Sequence, residues 1–307
     1  MPNYSGSWNL VQQMQAVSAG NWTGITGTIG IFAIGCSTTI RNKYTFSTCA
    51  NVVTTSSSAG ANLASATGNS IVGIFALGCA TTTRDKFTYA GCVSSSATTA
   101  TVGSYGGSAA GNSTVGIFAL GWAGGGNAYS TIRDKYTYSG CVVTSGTAAS
   151  VGSRQGASAG NSTVGIFALG ITSSSSSGTI TRDKYTYSGC VVSSATSSSA
   201  STNYGSAAGN STIGIFALGK NSSGCATTTR NKYTYSGDVN ATATAASVVS
   251  YAGAAAGNST IGIFALGTLT TRNKYTYSCC GNAAATAASA SGSGGAAASN
   301  GTTGVNV

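Results

Sequence analysis

The sequence contains no histidine and no glutamate, and its 307 residues include only four aspartates, Asp85, Asp134, Asp183 and Asp238. General acid–base catalysis draws on histidine or on paired carboxylates, a nucleophilic triad needs a base, and catalytic zinc is held mostly through histidine. This alphabet points away from an enzyme, and neither a metal nor a cofactor is expected. Charged residues make up 6% of the chain. Low charge with many small residues can leave a chain disordered. Here Ile-Phe-Ala-Leu and Tyr-Thr-Tyr blocks recur throughout, and such β-formers need burial. No run of 18 apolar residues occurs, so no membrane-inserting helix is expected. The opening "MPNYSGSWNLVQQMQAV" lacks a basic segment followed by an apolar one, so no Sec signal is expected. That leaves a protein kept in the cytoplasm, or one that leaves by another route, such as inside a virus particle.

What is present is repetition. "GNSTVGIFALG" stands at Gly111–Gly121 and again, letter for letter, at Gly160–Gly170; with Ile for Val it recurs at Gly209–Gly219 and Gly257–Gly267. The first isoleucines, Ile31, Ile74, Ile117, Ile166, Ile215 and Ile263, are spaced 43, 43, 49, 49 and 48 residues apart. A period of that size suits a unit of four strands, as in a propeller blade. One unit reads as Tyr204–Asn210, Ile213–Gly219, Thr229–Gly237 and Ala241–Val249, separated by Gly, Asn and Ser clusters that make turns. In "GIFALG" both alternating sets are apolar, Ile and Ala against Phe and Leu, so this strand is expected to be covered on both faces. In "RDKYTYS" Arg133, Lys135 and Thr137 share one face, and Asp134 and Tyr136 share the other, as in a half-exposed strand nearer the outer edge.

The order of these segments resembles kelch-type β-propellers, especially bacterial and phage forms, over essentially the whole chain. The resemblance implies a binding or scaffolding module. Its copper-oxidase members use His and Tyr ligands, and no His is available here. The chain is thus expected to be all-β, a single propeller over 1–307. The tail "NGTTGVNV" (Asn300–Val307) aligns without gaps to "NSTIGIFA" (Asn258–Ala265). Residues 1–20 and 293–307 are therefore expected to share a closing blade, which makes seven blades; a six-bladed ring is the alternative. Closure removes unpaired sheet edges.

Two sets of residues are candidates for contact. The segment between the second and third strands varies in length, and all these loops emerge on one face of the disc, where recognition is often placed. Trp122, Asn127, Tyr129, Ile171, Ser175, Lys220 and Asn221 are its candidate residues, with Trp122 and Tyr129 foremost, because exposed aromatics stack on sugars and partner surfaces. Twelve of the fourteen basic residues form Arg-x-Lys pairs: Arg41/Lys43, Arg84/Lys86, Arg133/Lys135, Arg182/Lys184, Arg230/Lys232 and Arg272/Lys274. They read either as a positive ring that attracts an anionic surface, or as solubility and edge protection with local pairing to the aspartates. Nothing resembles a nucleic-acid base reader. The nine cysteines show no C-x-x-C spacing and read as small residues at repeat-equivalent sites, with inter-repeat disulfides as the alternative. Asn112, Asn161, Asn210 and Asn258 match the glycosylation pattern but read as turn residues. The expected role is a non-enzymatic surface, fibre or decoration protein of a phage or similar particle that contacts a glycan-rich or anionic host surface; the alternative is a self-assembling subunit of a filament or lattice. Its partners would be further copies, other structural subunits or that surface.

Overall fold

The computed structural model describes residues 28–123, 129–172, 177–301 and 305–306. Each repeat forms an antiparallel sheet of four or five strands, and these sheets number six among the described residues. Blade 2 is typical: Ser65–Gly68, Val72–Ala76, Arg84–Thr88 and Val93–Ser96 pair in sequence order. Blades 3 to 6 begin at Ser108, Ala157, Ser206 and Ala254. In blade 5 the fourth strand is Val239–Ala243, starting two residues before and ending six residues before the expected Ala241–Val249.

The first strand of each blade is the innermost. Each of these strands lies against those of both neighbouring blades, so the six close a ring around the axis. They must converge, and Ala and Ser are small enough to allow it: Ala109, Ala110, Ala207 and Ala208 are fully buried. The second strand is buried on both faces, as its composition requires. In one seam, Ile166 and Ala168 of blade 4 pack on Phe216, Leu218, Tyr233 and Tyr235 of blade 5. The hydrophobic core therefore lies between blades. Close approach also fixes the strand glycine, because a Cβ on Gly165 would lie 2.7 Å from Tyr187 Oη and 3.1 Å from Ala110 Cβ of blade 3.

The ring has six blades, the alternative count, rather than seven. Ala296–Ser299 does not open a new blade; it supplies the missing inner strand of blade 1. It pairs with Ile29–Ala33, which continues to Arg41–Thr45 and Ala50–Thr54. Val305–Asn306 then adds a short strand on the axial side of blade 2, with Val305 opposite Gly68. The share expected of residues 1–20 in the closing blade lies outside the described residues.

The six arginines are not a surface ring. Each is at most 1% exposed. Each reaches into the next blade, with its guanidinium carbon 4.5–4.7 Å above the ring of Phe75, Phe118, Phe167, Phe216, Phe264 or Phe32. At three seams it meets a carboxylate: Arg41–Asp85, Arg84–Asp134 and Arg133–Asp183, all at 2.8 Å. At the other three it meets an amide oxygen: Arg182–Asn231 at 3.3 Å, Arg230–Asn273 at 3.2 Å and Arg272–Asn42 at 3.2 Å. A hydroxyl completes each station by turning to suit. Ser150 Oγ donates to Asp183, whereas Ser199 Oγ accepts from the Asn231 amide. The Asn seams gain a second acceptor on the outermost strand, Asn240, Asn282 or Asn51, for the other guanidinium nitrogen. Burial pulls the pKa of Arg182, Arg230 and Arg272 down to about 10, against a smaller upward pull from Asp238, Tyr275 and Tyr44 respectively.

The lysines correct the expected positive ring in a second way. Lys43, Lys86, Lys135, Lys184, Lys232 and Lys274 are all half-buried at the centre of their third strands. None of the six stands free on the surface, and Lys184 already spends its charge on Asp238, 3.1 Å away. The alternating pattern put Arg and Lys on one face; the neighbouring blade covers that face, completely over each arginine and partly over each lysine. Twelve exposed cations thus become six sealed ones and six half-covered ones.

Candidate binding face

Antiparallel order sends the loops between second and third strands, and the connections between blades, to the same face. Around its axial mouth runs a closed set of backbone hydrogen bonds from blade to blade. Gly106 N–H donates to Leu63 O, Gln155 to Gly106, Tyr204 to Gln155, Ala252 to Tyr204, Gly294 to Ala252 and Ala64 to Gly294, at 2.6–3.0 Å. Leu63, Gly106, Gln155, Tyr204, Ala252 and Gly294 all have positive φ, between 47° and 68°. Four of the six are not glycine, and a left-handed residue of that kind costs on the order of 1–3 kcal/mol. The closed belt offsets that cost and holds the side chains of the rim in place.

Two cation–aromatic clusters stand on this rim. The guanidinium of Arg154 lies 4.3 Å from the Trp122 ring centroid and 5.5 Å from that of Tyr129. Trp122 pairs with Tyr105 across a two-stranded ribbon, their rings 5.9 Å apart. Two blades further round, Lys220 Nζ lies 4.0 Å from the Tyr251 ring and 5.2 Å from the Tyr204 ring. All seven of these side chains are half-buried. Trp122, Tyr105 and Arg154 sit on short paired strands and Tyr129 and Lys220 on single β-bridges, which leaves them little freedom to lose.

The rim also carries polar atoms that find no partner among the described residues. These are Trp122 Nε1, Arg154 Nε, Asn203 Oδ1 and both ends of the Gln155 amide. Gln155 is 3% exposed, and it is the backbone link between the two clusters. No carboxylate faces this mouth among the described residues: Asp85, Asp134 and Asp183 are sealed in seams, and Asp238 sits in a turn on the opposite face.

Of the sequence candidates, Trp122, Tyr129 and Lys220 are brought to this rim. Ile171 pairs with Arg154 and is buried, so it supports the arginine rather than offering contact. Asn221 accepts the N–H groups of Ser223 and Cys225, each at 3.0 Å, and shapes its own turn. Asn127 and Ser175 lie outside the described residues. Tyr105, Arg154, Gln155, Tyr204 and Tyr251 were missed, although they hold one or two equivalent positions before each inner strand, where the repeats stop resembling one another. The repeated asparagines act as turn formers. Asn161 Oδ1 accepts from Thr163 and Val164 N–H, and its amide donates to Ser211 O of the next blade. All nine cysteines are free.

No family model matches the chain, and no curated protein matches it. Among solved structures it is similar to one titled "Structure of YjhT", at 11% sequence identity and a TM-score of 0.59, over 70% of this chain and 81% of that one. At that identity the likeness concerns the fold alone: the chain is a β-propeller.

Proposed function

We propose that this protein is a kelch-like contact module, not an enzyme, displayed on a phage or comparable particle and engaging an anionic, glycan-rich surface through the rim of Trp122, Arg154, Lys220 and Tyr251. The observation that carries this reading is the pair of cation–aromatic clusters set on one rigid belt beside unpartnered polar atoms. Aromatic faces stack on sugar rings, cations meet acidic groups, and a rigid disc lets several weak contacts act together. The half-buried lysines of the third strands are the competing anion site. The test is binding of the purified protein to an array of neutral and sulfated glycans. Trp122→Ala and Lys220→Ala should each weaken it about tenfold, the size of a modest interface residue. Binding that survives both but disappears in Lys43→Ala/Lys86→Ala/Lys274→Ala would move the site to the strand lysines.

A second reading, self-assembly into a filament or lattice, has its own support. The outermost strands are sheet edges, and Val93, Val142, Val191 and Val239 repeat at their first position, all at least half exposed. Exposed apolar edges are templates for pairing between molecules. Electron microscopy of the protein at increasing concentration separates the two: ordered polymers abolished by Val142→Lys/Val191→Lys support assembly, and discrete discs support the contact module.

A further inference from the structure

On the face opposite the rim, each hairpin between third and fourth strands contains one non-glycine residue with positive φ. The six are Cys49, Cys92, Cys141, Cys190, Asp238 and Cys280, at 51–55°. A threonine of the preceding blade donates its hydroxyl to each one's carbonyl: Thr286, Thr55, Thr98, Thr147, Thr196 and Thr244 respectively. The seat is thus the same six times, with cysteine in five copies and aspartate in one.

The aspartate copy shows what the seat accommodates. Asp238 Oδ2 accepts from Lys184 Nζ of blade 4 at 3.1 Å, and Oδ1 accepts from Thr196 N–H at 3.0 Å. In two cysteine copies the equivalent lysine is already in place. Lys135 Nζ stands 3.6 Å from Cys190 Sγ, and Lys232 Nζ stands 4.0 Å from Cys280 Sγ. At the latter seam an open groove of about 370 Å³, lined by Asn210, Thr212, Lys232, Ser259, Tyr277 and Cys280, gives solvent access. A thiol cannot make both of the aspartate's hydrogen bonds. A sulfinate can, since, although pyramidal at sulfur, it carries like a carboxylate two acceptor oxygens on one atom and one negative charge.

We infer that Cys190 and Cys280 are oxidation sites for hydroperoxides, and that the sulfinate product takes up the Asp238 pattern across the blade seam. In the first step the thiolate sulfur attacks one oxygen of hydrogen peroxide. An S–O bond forms, the O–O bond breaks, and hydroxide leaves and removes the sulfenic proton as water. A second peroxide oxidises the sulfenate in the same way, so one thiolate and two peroxides give one sulfinate and two waters. Sulfur is oxidised and peroxide is reduced. The adjacent lysine stabilises the growing negative charge on the sulfur and its oxygens. The inter-blade ion pair that results replaces the weak lysine–thiol hydrogen bond across the seam.

Two experiments test this. Peptide mass spectrometry after peroxide treatment should show two added oxygens on Cys190 and Cys280 before Cys36 and Cys79, which are exposed and whose thiols, among the described residues, hydrogen-bond Ser293 and Gly60 and no lysine. Lys135→Met should slow Cys190 oxidation several-fold. Equal rates at all four cysteines, or no effect of the lysine, would overturn the proposal. Independently of any oxidant, Cys190→Asp should raise the unfolding midpoint by about 1–3 °C above Cys190→Asn, the increment expected of one half-exposed ion pair in a domain of this size. The asparagine variant controls for the left-handed backbone. A gain that persists in Lys135→Met, or none at all, means that the seat does not recognise an anion.

Discussion

At the scale of single residues, the seams make two kinds of demand on an arginine. Arg133→Met leaves Asp183 buried without its cation, which costs about 3–5 kcal/mol. Arg182→Met loses the same stacking but leaves only an amide, so a cost of about 1–3 kcal/mol is expected. Equilibrium urea unfolding of the two variants measures the difference, and equal losses would show that the carboxylate does not decide it. The buried tyrosines set the response to alkali. Burial raises Tyr185 to about 12 and moves Tyr44, Tyr89, Tyr136, Tyr138, Tyr187, Tyr235, Tyr275 and Tyr277 in the same direction. These phenols stay protonated in the fold while the unfolded chain ionises from pH 10. Their stabilisation is complete below pH 10 and is lost as pH rises toward 12 and beyond. The six arginines, lowered by the same burial, oppose this over that window, but they are fewer. Unfolding midpoints should therefore fall steadily above pH 10, and a flat profile to pH 12 would contradict the burial. Much of this was legible: "RDK" and "RNK" stand in the sequence. Their inter-blade partners were not, because strand periodicity assigns a side chain to a face without saying how far the next sheet covers it.

At the scale of the strand and its turns, the repeated "VGIFALG" is a double constraint. Ile and Phe face opposite seams, and the glycine just before them leaves room for the neighbouring inner strand. Gly165→Ala is expected to destabilise by about 1–3 kcal/mol through overpacking, whereas Gly140→Ala, in an exposed turn, should cost less than half of that; thermal melts compare them. Strand positions and the two-sided burial of the second strand followed from the sequence. The binding rim followed only in part. The position after each second-strand glycine, occupied by Cys36, Cys79, Trp122, Ile171, Lys220 and Thr268, is visibly where the repeats diverge. The residues that meet it come from the blade connections, and only the ring places Arg154 over Trp122 or Tyr251 beside Lys220.

At the scale of the whole molecule, the sequence left the blade number open for a physical reason. The tail matches a repeat equally well whether it starts a blade or finishes one, and the choice depends on whether the first repeat lacks an inner strand. It does, and Ala296–Ser299 fills the place. A chain ended at Gly292 should lose single-step unfolding and become cleavable by trypsin at Arg41 and Lys43; an unchanged melting curve with those bonds protected would refute the latch. The same latch has a consequence during synthesis. Ile29–Ala33 emerges early, yet its inner neighbour is made 263 or more residues later. At ~5–20 residues per second the ribosome takes on the order of 10–50 s to deliver it. Throughout that interval the nascent chain presents an apolar strand with one unsatisfied edge, next to five further repeats whose inner strands have nearly the same sequence and could dock there in its stead. Faithful closure is therefore a contest in time between near-identical segments, and neighbouring chains on one messenger, each offering spare copies, are the competitors that this protein has to outrun.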